Sequence, residues 1–211
     1  MKPVVFNQNA AVMNTYLVIH QGKCVIIDPG FNGEDVIAYL ALHNLTLSFV
    51  LITHGHYDHI RDLRLLAKTF VFPLYIHEAD QPMLMDDRMN GATYFNGSFR
   101  IKADQVVHIM KDGEVIPFGL DAFKVWHTPG HTAGCVCFEY LNYLFTGDTL
   151  FHGDLGRTDL VSGSQKMLDK SIIKLFQSVS NDRIVYPGHE ESSTMGLERK
   201  ENPYVLRLLK S

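Results

Sequence analysis

The sequence predicts an α/β protein, on three observations. Short β-prone apolar runs alternate along the chain with segments whose apolar residues recur at helical spacing. At 211 residues, 46% hydrophobic and 20% charged, the chain has ordinary globular composition and the length for a two-layer or four-layer core. Side chains able to bind metal collect in turns at the carboxyl ends of predicted strands, where open α/β sheets commonly place their sites. No linker, charge block or short repeat divides the chain, so a single domain over 1–211 is expected, made of two similar halves.

In the first half, residues 14–19 and 24–27 read as a hairpin around Gln21-Gly22-Lys23, ending in the turn Asp28-Pro29-Gly30. Val36, Ile37, Leu40 and Ala41 place a helix over 34–44. Phe49-Val50-Leu51-Ile52 reads as a buried strand, and Ile60, Leu63, Leu65 and Leu66 as the apolar face of a helix. A short strand is expected at 74–76, then a helix over 78–85 with Pro82 near its start or at a kink. Periodicity fails over the 86–104 loop, which is rich in aromatics and glycine. Loops of that length in compact domains are commonly functional, so a substrate-covering role stands beside that of an ordinary surface excursion.

The second half repeats the alternation. Strands are expected at 115–116 and 123–127, a hairpin from Cys135–Tyr140 into 142–148, and a short strand at 184–186. Met167, Leu168, Ile172, Leu175 and Phe176 mark one face of a helix over 164–178, with Ser164 as N-cap.

Composition excludes several classes. Lys and Arg total 19 against 23 Asp and Glu, a net charge of −4, and no basic run attracts a nucleic acid. No apolar stretch approaches the roughly 20 residues of a membrane span. The start, Met1 to Asn7, meets polar residues too soon for a signal peptide. The three cysteines, two of them in Cys135-x-Cys137, are expected as buried free thiols in a reducing cytoplasm.

The chemistry concentrates in Thr53-His54-Gly55-His56-Tyr57-Asp58-His59, three imidazoles and a carboxylate within six positions. Burying so many polar side chains is costly without partners, which argues for metal. Three further strand-end turns carry His131, Asp148 and His189, each close to glycine. His20, His43, His77, His108, His127 and His152 lack that context and default to core or surface roles, with His152 notable for following Asp148 closely.

H-x-H-x-D-H, followed in order by T-P-G-H-T, G-D-T-L-F, G-R-T-D and P-G-H, resembles the metallo-β-lactamase superfamily over essentially the whole chain. The tail from Thr194 to Tyr204 resembles the T-x-G-x-E-R-x-x-N-P ending of the glyoxalase II (hydroxyacylglutathione hydrolase) branch. The resemblance implies a four-layer αβ/βα sandwich of two mixed β-sheets with helices on the outer faces. It implies a first metal on His54, His56 and His131, a second on Asp58, His59 and His189, and Asp148 bridging both.

Two divalent ions, zinc first with iron or manganese as alternatives, suit these nitrogen and oxygen donors. The activity implied is hydrolysis of a small thioester, S-lactoylglutathione or another acyl-thiol, by a metal-bridging hydroxide. Asp58 would hold the second metal and orient that hydroxide, and Asp28 or Thr53 would orient ligating histidines or serve the turn alone.

Departures from the family narrow the reading. Asp148 stands where the best-known dizinc β-lactamases carry cysteine, and His56 where flavo-diiron proteins carry glutamate. The glutathione-contacting Gly-Lys-x-Tyr run is Gly156-Arg157-Thr158-Asp159, so Arg157 either meets a substrate carboxylate or pairs with Asp159. The chain stops soon after Pro203, without the helical domain of full-length glyoxalase II. The alternative function is a persulfide dioxygenase holding one iron through His56, His131 and Asp148. A metal-binding module without catalysis ranks lower, because seven ligands for two ions leave room for water.

Overall fold

The computed structural model describes residues 2–7 and 13–210. The chain divides into two compact units, 1–110 and 111–211. Met1, the first residue of the start read as too polar for a signal peptide, lies outside the described residues.

The first unit carries a six-stranded mixed sheet whose spatial order equals its chain order: β1 (Val4–Phe6), β2 (Thr15–His20), β3 (Lys23–Ile27), β4 (Thr46–Leu51), β5 (Leu74–His77) and β6 (Val107–Met110). β1, β2 and β3 pair antiparallel, and β3 to β6 run parallel. The β2–β3 turn is two residues, Gln21 and Gly22, both at positive φ, the conformation that matches the twist of a tight hairpin. Parallel neighbours need long crossovers. Here these are α1 (Gly33–Leu42) between β3 and β4, then α2 (Tyr57–Ile60) and α3 (Leu63–Thr69) between β4 and β5. Because β3, β4 and β5 point the same way, Asp28, the 53–59 stretch and Asp80 all follow strand ends at one sheet edge.

The second unit also orders its strands as the chain does: β7 (Val115–Phe118), β8 (Asp121–His127), β9 (Val136–Tyr140), β10 (Tyr143–Gly147), β11 (Ile184–Pro187) and β12 (Ser193–Thr194). Only β10 and β11 are parallel, joined by the crossover α4 (Gln165–Ser178). β8 runs antiparallel to β9 and β9 to β10, so the ends of β8, β10 and β11 share an edge. His131, Asp148 and His189 follow those three ends. Two helices close the unit, α5 (Met195–Glu201) and α6 (Pro203–Lys210).

Each unit packs helices on its sheet. In the first, Leu17, Ile26, Val50 and Ile52 meet Val36, Leu40, Ile60, Leu63 and Leu66. In the second, Leu144 and Val185 meet Leu168, Ile172, Leu175 and Phe176 of α4. Each such aliphatic side chain contributes about 1.5–3 kcal/mol when fully buried. No helix among the described residues is long and apolar enough to cross a membrane.

Several expectations are corrected. The 78–85 segment is not an α-helix but a 3₁₀ turn, Gln81–Leu84, with Pro82 in its first turn, where a missing N–H costs nothing. Met167 is 39% exposed, and the buried place on that face of α4 goes to Ser171, whose hydroxyl donates to the Pro129 carbonyl at 2.7 Å. The helix expected around residues 60–66 is two pieces, and the first, α2, already contains Asp58 and His59. The 86–104 loop contains a 3₁₀ turn, Ala92–Phe95. β1, β6, β12, α5 and α6 add to the elements anticipated from the sequence. Ser164 caps α4 as expected, its side chain accepting from Met167 N.

Candidate metal centre

In the first unit the site begins where β4 ends. Thr53 and His54 leave the strand, Gly55 turns the chain, His56 in extended backbone caps α2, and Asp58 and His59 fall in that helix. Gly55 is required by closeness, since a Cβ there would lie 2.6 Å from Met83 Cβ. Its N–H donates to Asp80 Oδ2 at 2.9 Å, and the next turn is pinned by Tyr57 N–H to Asn90 O at 2.8 Å. The imidazoles pack together, with the His54 ring 4.8 Å from that of His56 and 4.0 Å from that of His59. His54 and His59 are fully buried.

Asp28 organises this cluster. Its Oδ1 accepts from Thr53 N at 2.8 Å, and its Oδ2 accepts from Thr53 Oγ1 at 2.6 Å and from His59 Nδ1 at 2.9 Å. It sits at φ 50°, a left-handed conformation that a short polar residue tolerates. A carboxylate only accepts here, so His59 carries its proton on Nδ1, and its Nε2 holds the lone pair that a metal needs. Thr53 spends its hydroxyl proton on Asp28, so across the 3.2 Å contact with His54 Nδ1 its oxygen is the acceptor. That places the His54 proton on Nδ1 as well, and its lone pair on Nε2. Asp28 thus bonds both the Thr53 turn and the His59 ring, the contacts that either expected role, turn or orientation, would use.

The second unit presents His131, Asp148 and His189. The Arg157 carbonyl faces His131 Nδ1 at 2.7 Å, which again puts the lone pair on Nε2. Asp148 Oδ2 lies 3.4 Å from His131 Nε2 and 3.4 Å from His189 Nε2. These separations are long for a charge-assisted hydrogen bond. Two ligands about 2.05 Å from one tetrahedral ion stand about 3.3 Å apart, so the spacing is that of atoms sharing an ion. The donor set fits a divalent metal. Gly156 passes so close to Asp148 that an added Cβ would meet the Asp148 carbonyl oxygen, locking the loop onto the strand end.

Arg157 makes a two-pronged ion pair with Asp159 at 2.7 and 2.8 Å, exposed to solvent. Its guanidinium holds the Asp159 carboxyl down to about 2. Of the histidines given default roles, His108 stacks on Tyr75, His127 bonds the Ala133 carbonyl, and His152 pairs with Glu191 at the surface. All three cysteines are free and buried, with burial pushing the thiol of Cys24 up to about 12 and that of Cys137 to about 11. Neither is a thiolate near neutral pH. Asp80 and Asn90, which pin the 53–59 turn, escape sequence reasoning because Asp80 falls in the segment expected as a helix and Asn90 in the 86–104 loop, where periodicity fails.

Known proteins match this arrangement. The family profile of the metallo-β-lactamase superfamily matches residues 11–189. The chain belongs to the metallo-β-lactamase superfamily. It is 39% identical over 193 residues to an uncharacterised protein of Mycobacterium tuberculosis, covering 86% of each chain. It is 32% identical over 197 residues to a probable metallo-hydrolase of Bacillus subtilis, covering 91% of this chain and 92% of that one. To a hydroxyacylglutathione hydrolase of Haemophilus influenzae it is 32% identical over 188 residues, 87% of each.

Among solved structures, the B3 metallo-β-lactamase BLEG-1 superposes with a TM-score of 0.89 at 32% identity, covering 97% of this chain and 99% of that one. TTHA1623 in a di-iron-bound form gives 0.82 at 32%, covering 97% and 100%. ETHE1 from Myxococcus xanthus gives 0.77 at 23%, covering 100% and 91%, and shares the fold. Two mixed sheets with helices make this the α/β metallo-β-lactamase fold, and membership of the superfamily supports a metal-dependent enzyme.

Proposed function

We propose that the protein is a dinuclear metallohydrolase of the glyoxalase II type, cleaving a small acyl thioester such as S-lactoylglutathione. In this reading the whole chain acts as one catalytic domain. His54, His56 and His131 would hold one ion, Asp58, His59 and His189 the other, and Asp148 would serve both. The observation that carries it is the single Asp148 oxygen placed 3.4 Å from two different imidazoles, as a bridging carboxylate would be. When bound, such ions supply a Lewis acid for the thioester carbonyl and lower the pKa of water toward neutrality.

The chain's own groups do the rest. Asp28, Thr53 and Arg157 O fix the tautomers of His59, His54 and His131, so none of these three must exchange its proton before binding a metal. Asp58 orients the attacking water. A groove of about 500 Å³ in the second unit, lined by Arg157, Thr158, Gln165, Tyr204 and Arg207 among others, suits the charged end of a thiol carrier. Arg157 would meet a carboxylate there while sharing its guanidinium with Asp159. The net charge of −4 supports a small-molecule substrate over nucleic acid, and three free thiols suit a reducing cytoplasm.

The second reading, a persulfide dioxygenase with one iron on His56, His131 and Asp148, draws on the shared T-P-G-H-T and G-R-T-D runs. The test is metal analysis of the purified protein beside assays on S-lactoylglutathione, glutathione persulfide and a chromogenic β-lactam. The expected result is about two ions per chain and thioester hydrolysis, abolished by Asp58→Ala and by His189→Asn. One iron with oxygen uptake on the persulfide, or turnover of the β-lactam alone, would overturn it.

A further inference from the structure

The C-terminal run Glu198-Arg-Lys-Glu-Asn202-Pro has no part in the ligand set, yet it holds a fully buried amide and a nearly fully buried carboxylate. Glu198 is 1% exposed and Asn202 0%. Glu198 Oε2 accepts from Asn202 Nδ2 at 2.9 Å and from the backbone N–H of Gly153 at 2.9 Å. Asn202 Nδ2 also donates to the Asp154 carbonyl at 3.2 Å, while its Oδ1 caps α6 by accepting from Tyr204 N and Val205 N. The second carboxylate oxygen, Oε1, is buried with no hydrogen-bond partner among the described residues. A surface helix tie does not call for a buried carboxylate with one oxygen unsatisfied, which is a costly arrangement.

What the pair grips is the tip of a small hairpin. The segment leaves β10 at Asp148 and turns through Gly153, at φ 74°. It closes with Phe151 N–H to Asp154 O at 3.0 Å and a Leu150–Leu155 bridge. That segment touches every ligand of the second unit. Asp148 is its first residue, the Phe151 ring stands edge-on to His189 at 6.0 Å, and the Arg157 carbonyl at its far end faces His131 Nδ1. Gly156, in contact with the Asp148 carbonyl, makes the hairpin too tight to shift one strand without the other.

We infer that Glu198, acting with Asn202, is a positioning residue for the metal centre: it clamps the 148–157 hairpin that sets Asp148, His131 and His189. This rests on the metal reading above. The same bonds explain why the tail places an acidic residue and an asparagine four apart, on one face of a helix end.

The test is a competition titration of zinc against a chromophoric chelator, using the full chain, with thermal unfolding of the chelator-stripped protein measured in parallel. Glu198→Ala should weaken zinc binding about 10–100-fold, as loss of an outer support does. It should also alter the visible spectrum of the cobalt-substituted protein. Glu198→Gln can present one oxygen to both donors and should bind zinc within about threefold of the parent, below the roughly 10-fold loss that marks a missing outer support. Should Glu198→Ala fail to fold, Glu198→Asp, with its oxygen drawn back by one methylene, should bind more weakly than Glu198→Gln. Zinc affinity and cobalt spectrum unchanged in a folded Ala or Asp variant, with only the unfolding temperature lowered, would reduce Glu198 to a structural tie and overturn the inference. A parent protein that binds no zinc would instead overturn the metal reading itself.

Discussion

The two halves deliver their candidate ligands by different means. The first places His54, His56, Asp58 and His59 in one short stretch, and local geometry does the gathering: a strand end, a glycine turn and the first turn of a helix. The second gathers His131, Asp148 and His189 from the ends of β8, β10 and β11, far apart in sequence and adjacent only because the sheet is built. A locally assembled set depends on its turn; a sheet-assembled set depends on strand register and on the loops that trim it. The supports differ accordingly. In the first half one carboxylate, Asp28, takes three donors from Thr53 and His59, whereas in the second the support is a backbone carbonyl and a close-packed hairpin.

Three substitutions probe that contrast. The largest effect is expected from Asp148→Ala, which under the two-ion reading removes a donor from both ions. Several kcal/mol of transition-state stabilisation correspond to a loss of about 10³-fold or more in kcat/KM. Metal content by mass spectrometry should fall with it, and full occupancy in an inactive protein would count against the bridging role. Next is Asp28→Asn, which keeps the size but gives His59 an amide in place of a carboxylate. Metal affinity should drop about 10–100-fold with the fold retained by circular dichroism. An unchanged affinity would leave Asp28 a turn residue only. The smallest effect on chemistry and the plainest on stability is expected from Gly156→Ala. The new methyl meets backbone at Asp148, which gives way less readily than a side chain, so unfolding should cost about 1–3 kcal/mol less in denaturant titrations. Equal stability of this variant and the parent would contradict a rigid hairpin.

The same contrast governs what could be read from the chain. The first half's ligands and the strand before them are legible because pattern and chemistry coincide within eleven residues. His131, Asp148 and His189 show as strand-end turns, but only the family's ordered motifs join them to the first set. α4 was legible from its periodicity, apart from Met167, because spacing alone does not say which residue at the stripe's edge is buried. The 78–85 segment misleads because its apolar residues, Met83 and Leu84, are buried by a 3₁₀ turn packed against Gly55 rather than by a helix face. Asp80 and Glu198 accept from the backbone N–H groups of Gly55 and Gly153, and the Asn90 carbonyl accepts from Tyr57 N, all far along the chain, and such partners leave no local signature.

Chain order and spatial order coincide in both sheets, so every strand after the first of its sheet pairs with its immediate predecessor. A chain emerging from the ribosome then meets a partner already made for every strand but β1 and β7, the first of each sheet. The candidate ligands follow the same calendar. The four of the first half are complete once residue 59 is out, and His189 is made last, after α4 has brought β11 beside β10. Under the two-ion reading, full metal loading belongs to the final stage of biogenesis, and a chain arrested before β11 would hold an incomplete set.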